Sequence, residues 1–153
     1  MRRLTLVFMR RLTLGALTLV FTGACSSVTP LPIRGGELCF RCKRPIMETR
    51  LAAQTIGGGY ASNFRTPGCL AKYLADHPDE RNVVFVSDYA GASKMLLAES
   101  AVFVPTLNRD NGERDYIAFK DRAAANAEAT MRQTSPVAWA DVLEQAKKDQ
   151  RGN

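Results

Sequence analysis

A strand that leads directly into a capped helix occurs twice in this chain of 153 residues, and this pattern limits the folds that the chain can adopt. The first strand, 60–64, precedes a helix with Thr66 as N-cap and Pro67 as its first residue. The second strand, 116–119, precedes an alanine-rich helix that Asp121 caps. The repetition predicts an α+β fold of two small ββα-like units, with helices packed on antiparallel strands. One continuous antiparallel sheet with helices on one side is the alternative.

The remaining elements follow from turn residues and apolar patterns. Three consecutive glycines, 57–59, predict a hairpin turn between a strand at 51–55 and the strand at 60–64. Apolar runs predict two more strands, at 83–87 and 101–105, and the Asn-Gly pair within 108–113 predicts a turn before the strand at 116–119. Ser135-Pro136 predicts the start of a last helix, whose apolar face would hold Trp139, Val142, Leu143 and Ala146.

The first 24 residues have the pattern of a secretory signal peptide. Arg10 and Arg11 precede an apolar run of ten residues, 12–21, which is too short to remain in a bilayer as a spanning helix. Small residues then lead to Cys25, as in the lipobox of bacterial lipoproteins, so we expect Cys25 to become the first residue and to carry lipid. Simple cleavage, which would leave a soluble periplasmic protein with a free Cys25, is the alternative.

This leader predicts the domain organisation and the location of the protein. Residues 25–36 have the composition of a flexible tether, and the folded domain is expected over 37–150. The lipid would anchor the domain to a membrane of the bacterial cell envelope, facing the periplasm. Ser26, rather than Asp, after the cysteine is compatible with the outer membrane.

The charge of the chain gives no reason to expect a nucleic-acid partner. The formal net charge is +6, from 21 basic and 15 acidic residues. Four of the basic residues lie within the first eleven positions, and without residues 1–24 the balance falls to +2. Nucleic-acid binding requires a larger excess of positive charge on one face than this balance predicts.

Three cysteines of the domain are candidate metal ligands. Cys39 and Cys42 form a CxxC loop, whose spacing lets two sulfurs reach one Cu(I) or Zn(II) ion and equally allows a disulfide. Cys69 would be the third residue of the first helix, where backbone N–H groups and the helix dipole favour the thiolate. Met47 offers a thioether, which binds Cu(I) well and Zn(II) poorly. Cys69 and Met47 are equally consistent with apolar packing contacts.

The sequence does not predict an enzyme. His77, the one histidine, precedes Pro78 at the predicted end of a helix, where a capping role is the expected one. No Ser-His-Asp arrangement is available without a second histidine, so hydrolytic catalysis has no support.

Taken in order, four features resemble the NosL family, the accessory lipoproteins of nitrous oxide reductase maturation. The first two are Cys25 in its lipobox-like context and the CxxC pair, followed four residues later by Ile46. The third is the segment Phe64-Arg-Thr-Pro-Gly-Cys69-Leu, which opens a helix. The fourth is the series of strand segments 84–89, 101–104 and 116–119 before an alanine-rich helix. The resemblance covers about 37–130, nearly all of the expected domain.

The resemblance implies a fold of two ββα-type halves in a periplasm-facing lipoprotein that binds Cu(I), in preference to Zn(II). Such a protein hands the ion to an apo-cuproenzyme such as nitrous oxide reductase, or to another chaperone, and has no catalytic turnover. The ligands that we expect are Cys39 and Cys42, then Cys69, then Met47. The sequence departs from the family pattern in having Lys43 and Arg44 where Gly-Met usually follows the CxxC pair, and in lacking a methionine within 105–118.

Two other functions are consistent with the same cysteines. One is a thiol–disulfide protein that keeps a partner's cysteines reduced, although thioredoxin-like proteins have their CxxC at the start of a helix, not on a loop before a strand. The other is a structural lipoprotein in which a Cys39–Cys42 or Cys42–Cys69 disulfide stabilises a small fold.

Overall fold

The computed structural model describes residues 27–92 and 94–152. The signal peptide predicted for 1–24 and the lipidation predicted at Cys25 lie outside these ranges. Two 3-10 turns, Thr49–Leu51 and Ala98–Ser100, accompany the regular elements. In chain order these elements are β1 Ala53–Gly57, β2 Tyr60–Phe64, α1 Pro67–Asp76, β3 Val83–Ser87, β4 Met95–Leu97, β5 Val102–Leu107, β6 Arg114–Phe119, α2 Arg122–Met131 and α3 Trp139–Arg151.

The first unit is an antiparallel sheet of four strands in the order β2-β1-β3-β4. Gly58 and Gly59 close the β1–β2 hairpin with φ of +58° and +83°, values that glycine adopts without steric cost. The strand predicted at 51–55 begins later, at Ala53, because the backbone before it is used in a 3-10 turn, in which Leu51 N–H donates to the Glu48 carbonyl. The short strand β4 was not predicted.

The second unit is the two-stranded hairpin β5-β6 with α2 packed on it. Its turn is the predicted one, closed by the Asn108 N–H donating to the Glu113 carbonyl at 2.7 Å. The Asp121 side chain accepts from Ala124 N–H and caps α2, as predicted. The predicted α+β fold with antiparallel strands and helices is therefore confirmed, with a larger sheet in the first unit than in the second.

The two units share a core and are joined by backbone hydrogen bonds. A parallel bridge pairs Asp88 with Ala118, and the Tyr89 N–H donates to the Ala118 carbonyl at 2.8 Å. Phe64 of β2, Phe103 of β5 and Trp139 of α3 lie in the same buried cluster. Burial of such large side chains against one another fixes the units relative to each other.

The last helix begins three residues later than the Ser135-Pro136 pair predicts. Val137 forms an isolated bridge with Phe103, giving and accepting a backbone hydrogen bond at 2.8 and 2.9 Å, so this residue is extended. The helix therefore starts at Trp139, where Asp141 accepts from the Ala138 N–H at 2.9 Å. Trp139, Val142 and Ala146 are buried on the predicted apolar face.

Part of the chain before the first strand contacts the folded domain. Leu31, in the segment assigned by composition to the tether, exchanges backbone hydrogen bonds with the buried amide side chain of Gln54, and Ile33 packs against the core. Within the described ranges, none of the helices combines the length and the apolar character that crossing a bilayer requires.

Candidate metal centre

A tight loop holds the CxxC pair. We call residues 38–45 the CxxC loop; its ends are paired by the antiparallel bridge between Leu38 and Pro45. Inside it, the Cys39 N–H donates to the Arg44 carbonyl at 2.9 Å, and the Lys43 N–H donates to the Cys39 carbonyl at 3.0 Å. Lys43 closes the loop in the left-handed region, with φ of +59°. The loop thus folds back on itself and turns both cysteines toward the same side.

The third cysteine lies in the first turn of α1, as predicted. Cys69 N–H donates to the Thr66 hydroxyl at 3.1 Å, which is the N-cap bond. The preceding N–H, of Gly68, donates to Asp115 Oδ1 of β6 at 3.0 Å. A Cβ on Gly68 would lie 2.5 Å from that oxygen, so the close approach of α1 to β6 requires glycine here. Thr66 and Asp115 together fix the position of the Cys69 backbone.

The CxxC loop and α1 bring three sulfurs together. The Sγ atoms of Cys39, Cys42 and Cys69 all lie within 4.8 Å of one another, and those of Cys39 and Cys69 are 3.4 Å apart. Three thiolates around one ion, each at about 2.3 Å, are separated by about 4 Å, so this spacing fits a three-coordinate ion. All three cysteines are free. Among the described His, Cys, Asp and Glu residues, this is the one group of three that could hold a metal.

The cysteines differ in their access to solvent. Cys39 is fully buried, whereas Cys42 and Cys69 are half-buried. These two line an open cavity of about 230 Å³ between the CxxC loop, α1 and β6. An ion held by the three sulfurs would therefore be reached from the side of Cys42 and Cys69, with Cys39 beneath it.

Hydrogen bonding favours one thiolate in the metal-free cluster. A hydrogen bond joins the Cys39 and Cys69 sulfurs at 3.4 Å. With Cys69 as its donor, this bond lowers the pKa of Cys39 far below its usual value of 9.0; burial opposes the effect, and the backbone N–H groups of Cys42 and Arg65 add to it. The same bond raises the pKa of Cys69, and burial and the charge of Cys39 raise it further. The pair therefore shares one proton, because a second deprotonation would place two negative charges 3.4 Å apart.

Arg65 places a positive charge beside the sulfurs. Its guanidinium pairs with Asp110 at 2.5 Å, and it also interacts with Cys42. These interactions raise the pKa of Arg65 despite partial burial, so it remains charged. Sequence reasoning missed Arg65 and Asp115. Nothing in the pattern of their neighbours shows that the end of β2 and the start of β6 lie beside the cysteine loop.

Neither Met47 nor His77 lines the cavity that Cys42 and Cys69 line. The Met47 side chain is 75% exposed and lines a second cavity of about 320 Å³, not the one that the cysteines line. The His77 ring stacks on Tyr73 at 4.3 Å and bonds through Nδ1 to the Tyr73 carbonyl at 2.8 Å, at the end of α1, as expected of a residue at a helix end. The structure thus brings three of the four predicted ligands together.

Comparison with known proteins decides the fold. No protein-family model matches the chain, and no curated protein matches it. A solved structure does: the crystal structure of the copper chaperone NosL from Shewanella denitrificans, with a TM-score of 0.54 and 19% identity. The match covers 72% of this chain and 92% of that one. The protein has a NosL-like fold. The resemblance found in the sequence is confirmed at the level of the fold, and the NosL-like fold of this chain carries three clustered thiols that could bind a metal.

Proposed function

We propose that the protein binds one Cu(I) ion through Cys39, Cys42 and Cys69 and passes it to a copper-receiving partner, without catalytic turnover of its own. The observation that carries the proposal is the approach of three sulfurs to within 4.8 Å of one another. Thiolates are soft ligands that select Cu(I), and three of them complete a coordination that Cu(I) accepts. Zn(II) in a structural site takes four ligands, so three sulfurs favour Cu(I).

The geometry supports transfer by ligand exchange. A three-coordinate ion leaves room for an incoming thiolate or thioether before any donor ligand has left. The incoming ligand would approach through the cavity that Cys42 and Cys69 line, because Cys39 is buried beneath them. Cys39 would then be the last ligand to release the ion, and the copper would never be free in solution.

The location and the partner are parts of the same proposal and rest on the sequence. The signal pattern of residues 1–24 and the lipobox-like Cys25 support a lipid anchor in the bacterial cell envelope, at the outer membrane, with the domain facing the periplasm. The resemblance to NosL supports an apo-cuproenzyme such as nitrous oxide reductase, or another chaperone, as the partner. Loss of membrane association in Cys25→Ser, measured by fractionating cells, tests the anchor.

The copper site is tested by anaerobic Cu(I) titration of the reduced full chain against a competing Cu(I) chelator. We expect one ion per chain, and a loss of affinity of at least about 100-fold in Cys39→Ser, Cys42→Ser and Cys69→Ser, because each substitution removes a soft ligand. Cys25→Ser is the matched control and should bind like the wild type. Met47→Leu measures how much the Met47 thioether contributes to Cu(I) affinity. We expect a smaller loss of affinity in this variant than in any of the three cysteine variants. Wild-type affinity in both Cys39→Ser and Cys42→Ser would refute the site.

Thiol–disulfide exchange is the second candidate function, favoured by the Cys39–Cys69 sulfur separation of 3.4 Å. Oxidation would join these two sulfurs and pass two electrons, with the one proton that the pair shares, to a partner disulfide, which is thereby reduced to a thiol and a thiolate. Failure to retain Cu(I), together with a reduction potential of about −230 to −180 mV, would favour this function over copper transfer. A bond that resists mild reductant, again without copper uptake, would indicate a purely structural disulfide.

A further inference from the structure

We propose that the copper-receiving partner docks on the mouth of the cysteine cavity through an acidic surface. This inference rests on the proposed function, since the partner is the protein that accepts the copper. The evidence for it is the set of charged side chains around Cys42 and Cys69. They define what an approaching protein meets before it reaches the sulfurs.

Positive side chains dominate the wall of this cavity. We call its five basic residues the cation ring: Arg41, Arg44, Arg65, Lys72 and Arg114. Two carboxylates, Glu113 and Asp115, line the same cavity. Asp115 is 4% exposed, and its oxygens accept from the N–H groups of Gly68 and Tyr116, so it faces inward and not toward a partner. Glu113 is therefore the one exposed carboxylate of the lining.

Neighbouring carboxylates neutralise the cation ring only in part. Asp110 accepts from two of its members, Arg65 at 2.5 Å and Arg44 at 3.5 Å. Asp76 pairs with Arg41 at 3.5 Å, and Glu113 pairs with Lys72. Within the described ranges, no ion pair reaches Arg114. Three carboxylates thus pair with four cations and a fifth cation has no carboxylate partner, so the charged side chains that an approaching protein meets at the mouth keep an excess of positive charge.

The shape of the charged surface favours a protein over a membrane. The cation ring lies on the wall of a concavity to which the CxxC loop, α1 and β6 contribute from different sides. A protruding acidic element of a protein can enter this concavity and meet all three walls, whereas a flat lipid surface meets only the rim. Complementary charge of this kind raises association rates and fixes orientation.

The proposal is tested by measuring copper transfer from the loaded full chain to two synthetic peptides. Both peptides carry the same Cys-x-x-Cys copper-binding sequence, flanked in one by Asp and in the other by Lys, and their copper affinities are measured first. We expect transfer to the Asp-flanked peptide to be at least about tenfold faster at about 20 mM salt, and the difference to fall below about twofold at about 0.5 M salt, because steering is screened.

Two double variants of equal net charge test whether the cation ring causes the preference for the Asp-flanked peptide. Arg41→Gln with Arg114→Gln removes two exposed members of the cation ring, one on the CxxC loop and one on β6. Lys120→Gln with Arg122→Gln removes two exposed cations that line neither cavity. We expect the first pair to reduce the preference for the Asp-flanked peptide to below about threefold and the second pair to preserve it.

Each other outcome has a definite meaning. If the wild type holds Cu(I) but transfers it equally fast to both peptides, the docking proposal is wrong and the proposed function stands. If the wild type holds no Cu(I), the proposed function itself is wrong. If the Arg41/Arg114 variant weakens copper affinity but keeps the peptide preference, the ring acts on the thiolates and the docking proposal is wrong. If lipid-free Cys25→Ser protein binds phosphatidylglycerol vesicles through the ring without any peptide preference, the surface recognises a membrane and the docking proposal is wrong.

Discussion

Cys69 has two roles at the scale of single residues, because its S–H prepares a second sulfur as well as offering its own. The bond at 3.4 Å to Cys39 stabilises a thiolate at a fully buried position, where burial alone would favour the neutral thiol. Copper binding to both sulfurs would then displace the one proton that they share, and the raised pKa of Cys69 means that this proton is held more tightly than in a free thiol.

The shared proton predicts a thiolate in the reduced, metal-free protein at about pH 6, far below the ordinary thiol pKa. Ultraviolet absorbance of the thiolate should correspond to one group per chain and should be lost in Cys69→Ala, which lacks the donor. A depressed pKa also means that the contribution of Cys39 to folding stability is present above 9.0 and is lost as the pH falls toward the lowered pKa. Cys42→Ala is the control and should keep the absorbance, and equal loss in both variants would contradict the assignment to Cys69.

The sequence predicts the sulfur ligands better than it predicts their surroundings. The CxxC spacing and the position of Cys69 in a capped first turn are local, so both can be read from neighbouring residues. Asp115 lies 47 residues from Gly68 in the chain, and its contact exists only because β6 packs beside α1. Met47 is only five residues from Cys42 in the chain, but its side chain lines a different cavity, and its role as a ligand stays a prediction.

At the scale of elements, the N-cap of α1 sets the position of a metal ligand, whereas the N-cap of α2 does not. Thr66 accepts from the Cys69 N–H itself, and Asp121 accepts from Ala124 N–H, remote from any cysteine in the chain. The two cap bonds are similar in length, at 3.1 and 2.8 Å, although Thr66 is buried and also bonds Asp115, whereas Asp121 is exposed. They form a matched pair for separating stability from metal binding.

Thr66→Ala and Asp121→Ala should each lower the free energy of unfolding by about 1 kcal/mol, since each removes one helix cap. Only Thr66→Ala should also weaken Cu(I) binding, by about 3- to 30-fold, because the freed first turn no longer holds Cys69 beside Cys39. Urea unfolding measures the first effect and chelator competition the second. A loss of copper affinity as large in Asp121→Ala would show that general stability, not the α1 cap, controls the site.

The ends of an element could be predicted where they depend on the backbone preferences of local residues. They could not be predicted where they depend on backbone pairing with a segment far away in the chain. The Thr66-Pro67 start of α1, the glycine turn and the Asp121 cap follow from backbone preferences and are confirmed. The late start of α3 follows from the bridge between Val137 and Phe103, which joins segments more than thirty residues apart. A Ser-Pro pair carries no information about such a bridge.

At the scale of the whole molecule, the candidate metal centre lies where the CxxC loop packs against α1 and β2. The CxxC loop precedes the first sheet and is attached to β2 by the Phe40 N–H, which donates to the Asn63 carbonyl at 2.7 Å. Phe40 also packs edge-on against Tyr73 of α1, with ring centroids 5.4 Å apart. An ion bound to all three sulfurs would add a direct link between the loop and α1. Its binding energy would therefore stabilise the folded state.

This link predicts that Cu(I) raises the stability of the protein. At a free concentration about 1,000 times the dissociation constant, the free energy of unfolding should rise by about 4 kcal/mol, because the ion binds the folded site and not an equivalent site in the unfolded chain. The measurement is thermal unfolding under anaerobic conditions, with Cu(I) buffered by a chelator. Cys25→Ser should show the full effect, and the double variant Cys39→Ser with Cys42→Ser should show none.

Comparing the stabilisation by Zn(II) with that by Cu(I) in the same unfolding experiment distinguishes a site of three sulfurs from a site of four ligands. Zinc in a structural site requires four ligands, and among the described residues the acidic and imidazole groups add none to the three-cysteine cluster. At equal free concentration, zinc should therefore stabilise the protein less than Cu(I) does, and it should be displaced when Cu(I) is added. Stabilisation by zinc equal to that by copper would show that a further ligand completes the site, which would make a structural zinc centre the better description of this cluster.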